Sequence, residues 1–403
     1  MRAEQERTAG PLFVTAMVAV TLIGPLSVHA FIPALPMVQR AFAIGDAAAQ
    51  SMLSITLLGM AASTLFYGSL SDRYGRRPVL LSGIGLFLIG ATVCAVSTDV
   101  VTLASGRFVQ AAGAGCGLVL ARAIIRDVYG DDRLVKMMAY LTMAYVMGPM
   151  LAPPIGGALI DAFGWRAVFY LGLALGVAIF ALTAIATHET APRNHGVDEI
   201  GFGQRLIQGY ARLARMPKFL GYVLHAAFIA AAFFSYVSSA SFLMSDVLHR
   251  PASEYGIYFL FLPLAYLVGN FFASRLSGRV SIATMVVIGG VGAMVVAIGF
   301  VIWASVSPID PLLLFVPGVV ASIAQGLSMP NAQSGAIQVD ADLTGAASGA
   351  VMFAQLSFGA IGAQVMGFVA DGTVYPMAVM FLVCCALSLV SGIVPAFIRN
   401  RQT

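Results

Sequence analysis

An arginine and a histidine lie where chemistry is least expected, inside long apolar runs. Arg107 opens the stretch Arg107-Phe108-Val109-Gln110-Ala111-Ala112-Gly113-Ala114-Gly115-Cys116-Gly117. His29 sits in His29-Ala30-Phe31-Ile32-Pro33-Ala34-Leu35-Pro36. A cation in hydrocarbon costs roughly 2.5–3.5 kcal/mol, so such residues face a bundle interior or water and mark ion or solute paths. Arg107 either serves such a path or snorkels to the headgroups. Histidine titrates near neutral pH; His29 is either a proton carrier or a hydrogen-bonded packing residue. A third polar group, Gly68-Ser69-Leu70-Ser71-Asp72-Arg73-Tyr74-Gly75-Arg76-Arg77-Pro78, separates two apolar runs. Its charges cannot stay in hydrocarbon, so it is expected to be a tight turn at a water face. The chain contains no H-E-x-x-H, no G-x-S-x-G and no G-x-x-x-x-G-K-[ST]. An enzyme or an ATP-driven machine is therefore not expected, nor a cofactor, a metal or a nucleic-acid partner.

The elements that must position these groups are membrane spans. The chain has 403 residues, 59% of them hydrophobic and only 10% charged, whereas a soluble domain carries about 25% charged residues. Twelve apolar runs are long enough to cross. They lie near 12–35, 48–67, 79–97, 100–121, 137–160, 165–186, 218–245, 254–274, 281–305, 311–332, 345–369 and 375–397. With the N-terminus inside, most Lys and Arg fall on the inner side and only Arg40, Arg166 and Arg250 on the outer. That bias places both termini in the cytoplasm, and the first span is read as retained rather than cleaved. Cys94, Cys116, Cys384 and Cys385 lie in apolar runs and are read as core residues.

The polar segment 188–217 carries the amphipathic stretch Phe202–Met216 and divides the chain into 1–187 and 218–403, each with six spans. Gly157-x-x-x-Asp161 after span 5 recurs as Gly367-x-x-x-Asp371 after span 11, and Arg73/Arg76 have an echo at Arg275 and Arg279. Two repeated halves with a path between them is the logic of alternating access. Arg107 lies about 10 Å below the outer surface at 1.5 Å per residue, a depth close to that of His29. Span 5 contains Gly148-Pro149-Met150-Leu151-Ala152-Pro153-Pro154-Ile155-Gly156-Gly157, which a membrane tolerates as a kinked, closely packed helix. Asp72 faces Arg73 and Arg76, with Arg126 and Asp127 just past span 4. Exposed pairs contribute only about 0–1 kcal/mol, yet that can tip states of nearly equal energy. Gln110, Tyr145, Tyr236 and Gln355 are candidate polar contacts in a greasy pocket.

The turn at 68–77 resembles G-x-L-x-D-R-x-G-R-R, the loop between helices 2 and 3 of the major facilitator superfamily. The stretch Gly148–Gly157 resembles the span-5 signature of drug:proton antiporters, with Ala152 where glycine is usual. Trp165-Arg166-Ala167-Val168-Phe169 resembles the W-R-x-x-F that opens span 6 of those antiporters, and Pro33-Ala34-Leu35-Pro36, Arg107-Phe108-Val109-Gln110, Arg122-Ala123-Ile124-Ile125-Arg126-Asp127 and Ala152–Gly157 together resemble the Bcr/CflA branch of multidrug exporters. The resemblance is dense in the first half and rests mainly on topology in the second. It implies an all-α integral membrane fold of twelve helices in two pseudo-symmetric halves. It also implies proton-coupled efflux of small amphipathic compounds across the inner membrane, by a chain expected to be a monomer in the lipid bilayer. His29 and Arg107 become transport or proton-coupling candidates. Gly68, Asp72, Arg73, Gly75, Arg76 and Asp127 become the cytoplasmic gate, with Asp72 bracing the start of span 11. Gly148, Pro149, Pro153, Gly156 and Gly157 become the antiporter hinge. The chain departs from the branch at His29, where aspartate is usual, so no mid-membrane carboxylate is visible in the first six spans. The other reading is a transporter of one dedicated metabolite or siderophore, which Arg107 and His29 would suit if it were an anion.

Overall fold

The computed structural model describes residues 10–129, 131–191 and 202–400. The linker residues 192–201 fall outside that set. In hydrocarbon every backbone N–H and C=O needs a partner within the chain, and apolar runs answer with helices. Twelve helices among the described residues are long and apolar enough to cross a membrane. They form two compact units. One runs to Arg193 and adds Pro251–Ile257; the other holds Asn194–Arg250 and the chain from Tyr258 onward.

In the first unit, α1 (Pro11–Phe31) passes through a single 3-10 turn, Ile32–Ala34, into α2 (Leu35–Phe42). Pro33 and Pro36 do not end the span. Each sits in the first turn of a new segment, where a missing N–H costs nothing. Then follow α3 (Asp46–Tyr74), α4 (Arg76–Val96), α5 (Val100–Val128), α6 (Asp131–Phe163) and α7 (Ala167–Ala186). Helix α5 is central, packed on α4 and α3, while α1 lies against α6, α5 and α7. The α4–α5 contact is as tight as glycine permits: a methyl at Gly113 would lie 2.2 Å from the Phe87 backbone nitrogen. Asp99 caps α5, accepting from the Thr102 N–H at 2.8 Å and the Thr102 hydroxyl at 2.6 Å. Those hydrogen bonds hold its carboxyl below the usual carboxylate range.

The expected turn at 68–78 is much shorter than anticipated. Helix α3 continues to Tyr74 and α4 begins at Arg76, so Gly75 alone makes the reversal, at φ 96°. Only glycine adopts that angle without strain. Helix α5 likewise runs on to Val128, so Arg126 and Asp127 belong to its last turns rather than to a loop.

The second unit begins with the linker helix α8 (Phe202–Ala214) and continues with α9 (Pro217–Phe242), α10 (Ala252–Leu276), α11 (Ile282–Val306), α12 (Pro311–Ile337), α13 (Thr344–Val369) and α14 (Tyr375–Asn400). The first turn of α10 groups with the first unit. Helix α9 packs on α13, α14 and α12, and α11 on α12 and α14. Leu213 of α8 is fully buried in a cluster with Phe219, Tyr222 and Ala347. Arg212 reaches Asp340 at 2.7 Å. The amphipathic stretch is thus docked on the second unit.

Tyr236 of α9 does something the sequence did not announce. Its hydroxyl donates to the Leu314 carbonyl and accepts from the Gly318 N–H at 3.0 Å. Those two backbone groups would otherwise bond to each other within α12, so the phenol is inserted into the helical ladder beside Pro317. Tyr236→Phe is expected to lower the thermal unfolding midpoint of the purified protein, by the equivalent of about 1 kcal/mol for two weakened buried bonds. An unchanged midpoint would mean that α12 simply closes its own hydrogen bond.

Candidate functional site

Arg107 lies on the second turn of α5 and is fully buried. Its guanidinium stacks 4.3 Å from the centroid of Phe31 on α1 and 5.7 Å from that of Phe169 on α7. Nη1 donates to Gln110 Oε1 at 2.8 Å and to the Ser27 carbonyl at 3.4 Å. Desolvated cation–π contacts contribute about 2 kcal/mol and a hydrogen bond to a charged group roughly 1.5–3. These offset the cost of roughly 2.5–3.5 kcal/mol for a charge in hydrocarbon, so the side chain has no need to snorkel. Among the described residues no carboxylate forms an ion pair with it. Nε, Nη2 and the nearby Ser27 hydroxyl are buried without a hydrogen-bond acceptor or donor.

Arg107, Gln110 and Ser27 line a cavity of about 200 Å³ enclosed by α1, α4, α5 and α7. Its remaining walls are apolar, from Leu22, Ile23 and Leu26 to Phe87, Val168 and Phe169. His29 is buried on the same helix as Ser27, and its Nδ1–H donates to the Pro25 carbonyl at 2.8 Å. Two of the sequence-predicted residues, Arg107 and Gln110, are therefore in direct contact. Tyr145 on α6 is half-buried and does not line this cavity. Tyr236 and Gln355 lie in the second unit. Gln355 Oε1 accepts from Gln333 Nε2 at 3.4 Å, while Tyr236 is engaged in the ladder of α12.

The glycine-proline stretch of α6 packs closely on two sides. A methyl at Gly148 would lie 2.5 Å from Pro25 Cβ, and one at Gly156 would lie 2.5 Å from the Ala30 carbonyl oxygen of α1. A methyl at Gly157 would lie 2.3 Å from the Ala252 carbonyl oxygen, at the start of α10. Reciprocally, Gly256 leaves room for the Pro153 carbonyl. Pro149, Pro153 and Pro154 are all accommodated inside α6. Asp161, near the end of α6, accepts from the N–H groups of Ala252 at 3.0 Å and Ser253 at 2.8 Å. It thereby satisfies donors at the positive end of α10.

Around the Gly75 turn, Arg76 pairs with Asp72 at 2.5 Å and with Asp127 of α5 at 3.0 Å, and donates to the Ser71 hydroxyl at 2.6 Å. Arg73 packs over the Tyr74 ring, and Gly68 lies opposite Val119 of α5. Glu189, after α7, accepts from the backbone N–H groups of Arg76 at 2.8 Å and Arg77 at 3.3 Å. It caps α4, and a side chain at Gly75 would collide with it. Sequence reasoning missed Glu189, Ser27 and the capping role of Asp161, which it had read only as part of a repeat. An acidic residue just past a span was the available signal for Glu189.

The family model described as Major Facilitator Superfamily matches residues 17–363. The chain belongs to the major facilitator superfamily. It is a multi-pass membrane transporter that moves small molecules, and not an enzyme. Among curated relatives of the same superfamily, the uncharacterized MFS-type transporter YdgK of Bacillus subtilis is 28% identical, over 94% of this chain and 93% of its own. The bicyclomycin resistance protein homolog of Haemophilus influenzae is 24% identical, over 94% of this chain and 95% of its own. The multidrug resistance protein MdtL of Citrobacter koseri is 33% identical over 45% of this chain and 46% of its own. Among solved structures, a bacterial homologue of the human lysosomal transporter Spinster, inward-facing and occupied, matches with a TM-score of 0.75 at 17% identity. That match covers 97% of this chain and 96% of the other. A peptide transporter bound to alafosfalin matches at 0.74. These structures share the facilitator fold.

Proposed function

We propose that this major facilitator exports small amphipathic compounds, drugs among them, across the inner membrane in exchange for protons. It works by alternating access, as a monomer with both termini in the cytoplasm. The observation that carries this reading is the likeness, over nearly the whole chain, to a bicyclomycin resistance homolog. The buried Arg107 beside an apolar cavity supplies the matching chemistry, a greasy pocket with a few fixed polar groups. His29 is the candidate proton carrier, as a buried ionisable side chain inside the first span and on the helix that lines the cavity. Expression in cells lacking their own exporters should lower the accumulation of acidic, neutral or cationic amphipathic drugs, and an uncoupler should restore it. No change for any compound would favour a transporter dedicated to one metabolite or siderophore.

The charges at the Gly75 turn act as a conformational gate in this reading. Asp72 is half-exposed and holds Arg76 jointly with Asp127. Asp72→Asn removes one of two partners and leaves Arg76 tethered. It is expected to slow conformational exchange roughly two- to fivefold, the kinetic equivalent of about 0.5–1 kcal/mol, with substrate affinity unchanged. Stopped-flow fluorescence of a labelled protein, beside equilibrium binding, checks this. Loss of binding would place Asp72 in the substrate site instead.

A further inference from the structure

Among the described residues, every polar side chain lining the α1–α4–α5–α7 cavity offers a proton and none offers a negative charge. Gln110 spends its carbonyl on Arg107, which leaves its amide nitrogen toward the cavity, facing Gly172. The Nε and Nη2 groups of Arg107 carry N–H donors without an acceptor, and the Ser27 hydroxyl is unbonded. Buried donors of this kind are costly to leave unmade. A guanidinium in particular presents a planar fork that fits a carboxylate, with two parallel charge-assisted bonds. The protein supplies no carboxylate here, among its described residues, and the rest of the wall is hydrocarbon. The arrangement is complete only when the ligand brings the anion.

We propose that Arg107, Gln110 and Ser27 form an anion-recognition site within the first unit, and that the preferred substrates carry a carboxylate on a compact apolar body. This rests on the reading that the chain transports amphipathic compounds, and it names which kind. Size sets a limit on the part of the ligand held here. An apolar cavity of about 150 Å³ takes up benzene, so about 200 Å³ admits one ring with a short acidic arm. A larger substrate would insert only its acidic end.

The test compares three ligands of one shape: 3-phenylpropanoate, 3-phenylpropanamide and 3-phenylpropylammonium. Binding to the purified full chain is measured calorimetrically in phosphatidylcholine nanodiscs. The acid is expected to bind at least about tenfold more tightly than the amide, the worth of one charge-assisted pair, and the ammonium not measurably. Arg107→Gln should reduce the acid to the affinity of the amide. Gly172→Val fills the cavity without touching the arginine, because a Cβ there meets only Gln110 Nε2 and Phe87 Cζ, both at 3.7 Å. It should weaken all binding by a similar factor, and it keeps the test decisive if Arg107→Gln does not fold. Equal affinities for the three ligands, a preference for the ammonium, or full acid binding by Gly172→Val would overturn the proposal. Repeating the titration in phosphatidylglycerol discs separates a lipid headgroup from a substrate. Unchanged acid affinity supports a substrate site, whereas competition that vanishes in Arg107→Gln assigns the site to lipid and overturns it. Efflux assays keep the two readings apart. Acid binding without export of any drug would sink the export reading alone, and export of cationic drugs without acid binding would sink this one alone.

Discussion

Arg107→Ala is expected to abolish substrate export while the protein still reaches the membrane in normal amount. Two effects compete in that variant. Removing the side chain forfeits stacking on Phe31 and Phe169 and the bond to Gln110. It also removes a charge whose burial costs roughly 2.5–3.5 kcal/mol in a membrane. The terms are of similar size and opposite sign, so stability changes little. Function has no such compensation, because no other cation among the described residues lines the cavity. Arg107→Lys keeps the charge but loses the planar fork, so it should retain only part of the activity. Efflux rates at matched membrane levels decide the matter, and a wild-type rate in Arg107→Ala would show that the arginine is packing alone.

The second large effect is expected from Gly156→Leu. A Cβ at that position would lie 2.5 Å from the Ala30 carbonyl oxygen, 3.0 Å from its Cα and 3.1 Å from its carbonyl carbon. All three are backbone atoms, so no rotamer change relieves the clash and α1 must move away from α6. Overpacking of this kind costs about 1–3 kcal/mol. Here it also displaces the helix that carries Ser27, His29 and Phe31. Transport should fall at least about tenfold, since a displacement of 1 Å can cost a site far more than that, and the unfolding midpoint should drop. Gly85→Ala is the control: nothing lies within 4 Å of its Cβ position, and alanine favours a helix by about 0.5–1 kcal/mol over glycine. Wild-type transport by Gly156→Leu would show that α1 and α6 need not touch for the protein to work.

What was legible in the chain follows from distance along it. The apolar runs announced the spans, because length and hydropathy alone satisfy the bilayer. Arg107 and Gln110 are three residues apart on one helix, a separation at which side chains meet, and Asp72 and Arg76 are four apart across the single-residue reversal at Gly75. Contacts between helices were not legible in this way. Which face a span presents depends on its rotation, and a span apolar on all sides carries no stripe to reveal it. Hence Phe31 and Phe169 were not expected around Arg107, nor Tyr236 inside the ladder of α12, nor Asp161 at the first turn of α10. Glu189 lies more than a hundred residues from the helix start it caps. Helix ends were also underestimated. A polar residue signals the limit of the hydrocarbon, whereas α3 and α5 continue past it until Gly75 and Tyr129 stop them.

The central claim is exchange of substrate against protons, and the most direct measurement uses the purified protein in sealed proteoliposomes loaded with a pH-sensitive dye. An amphipathic substrate is added outside with no imposed gradient. The account predicts a substrate-dependent change in internal pH that is absent from liposomes carrying Arg107→Ala and strongly reduced in those carrying His29→Ala. Substrate entry with no accompanying proton movement would contradict it and leave a facilitator that does not couple to protons.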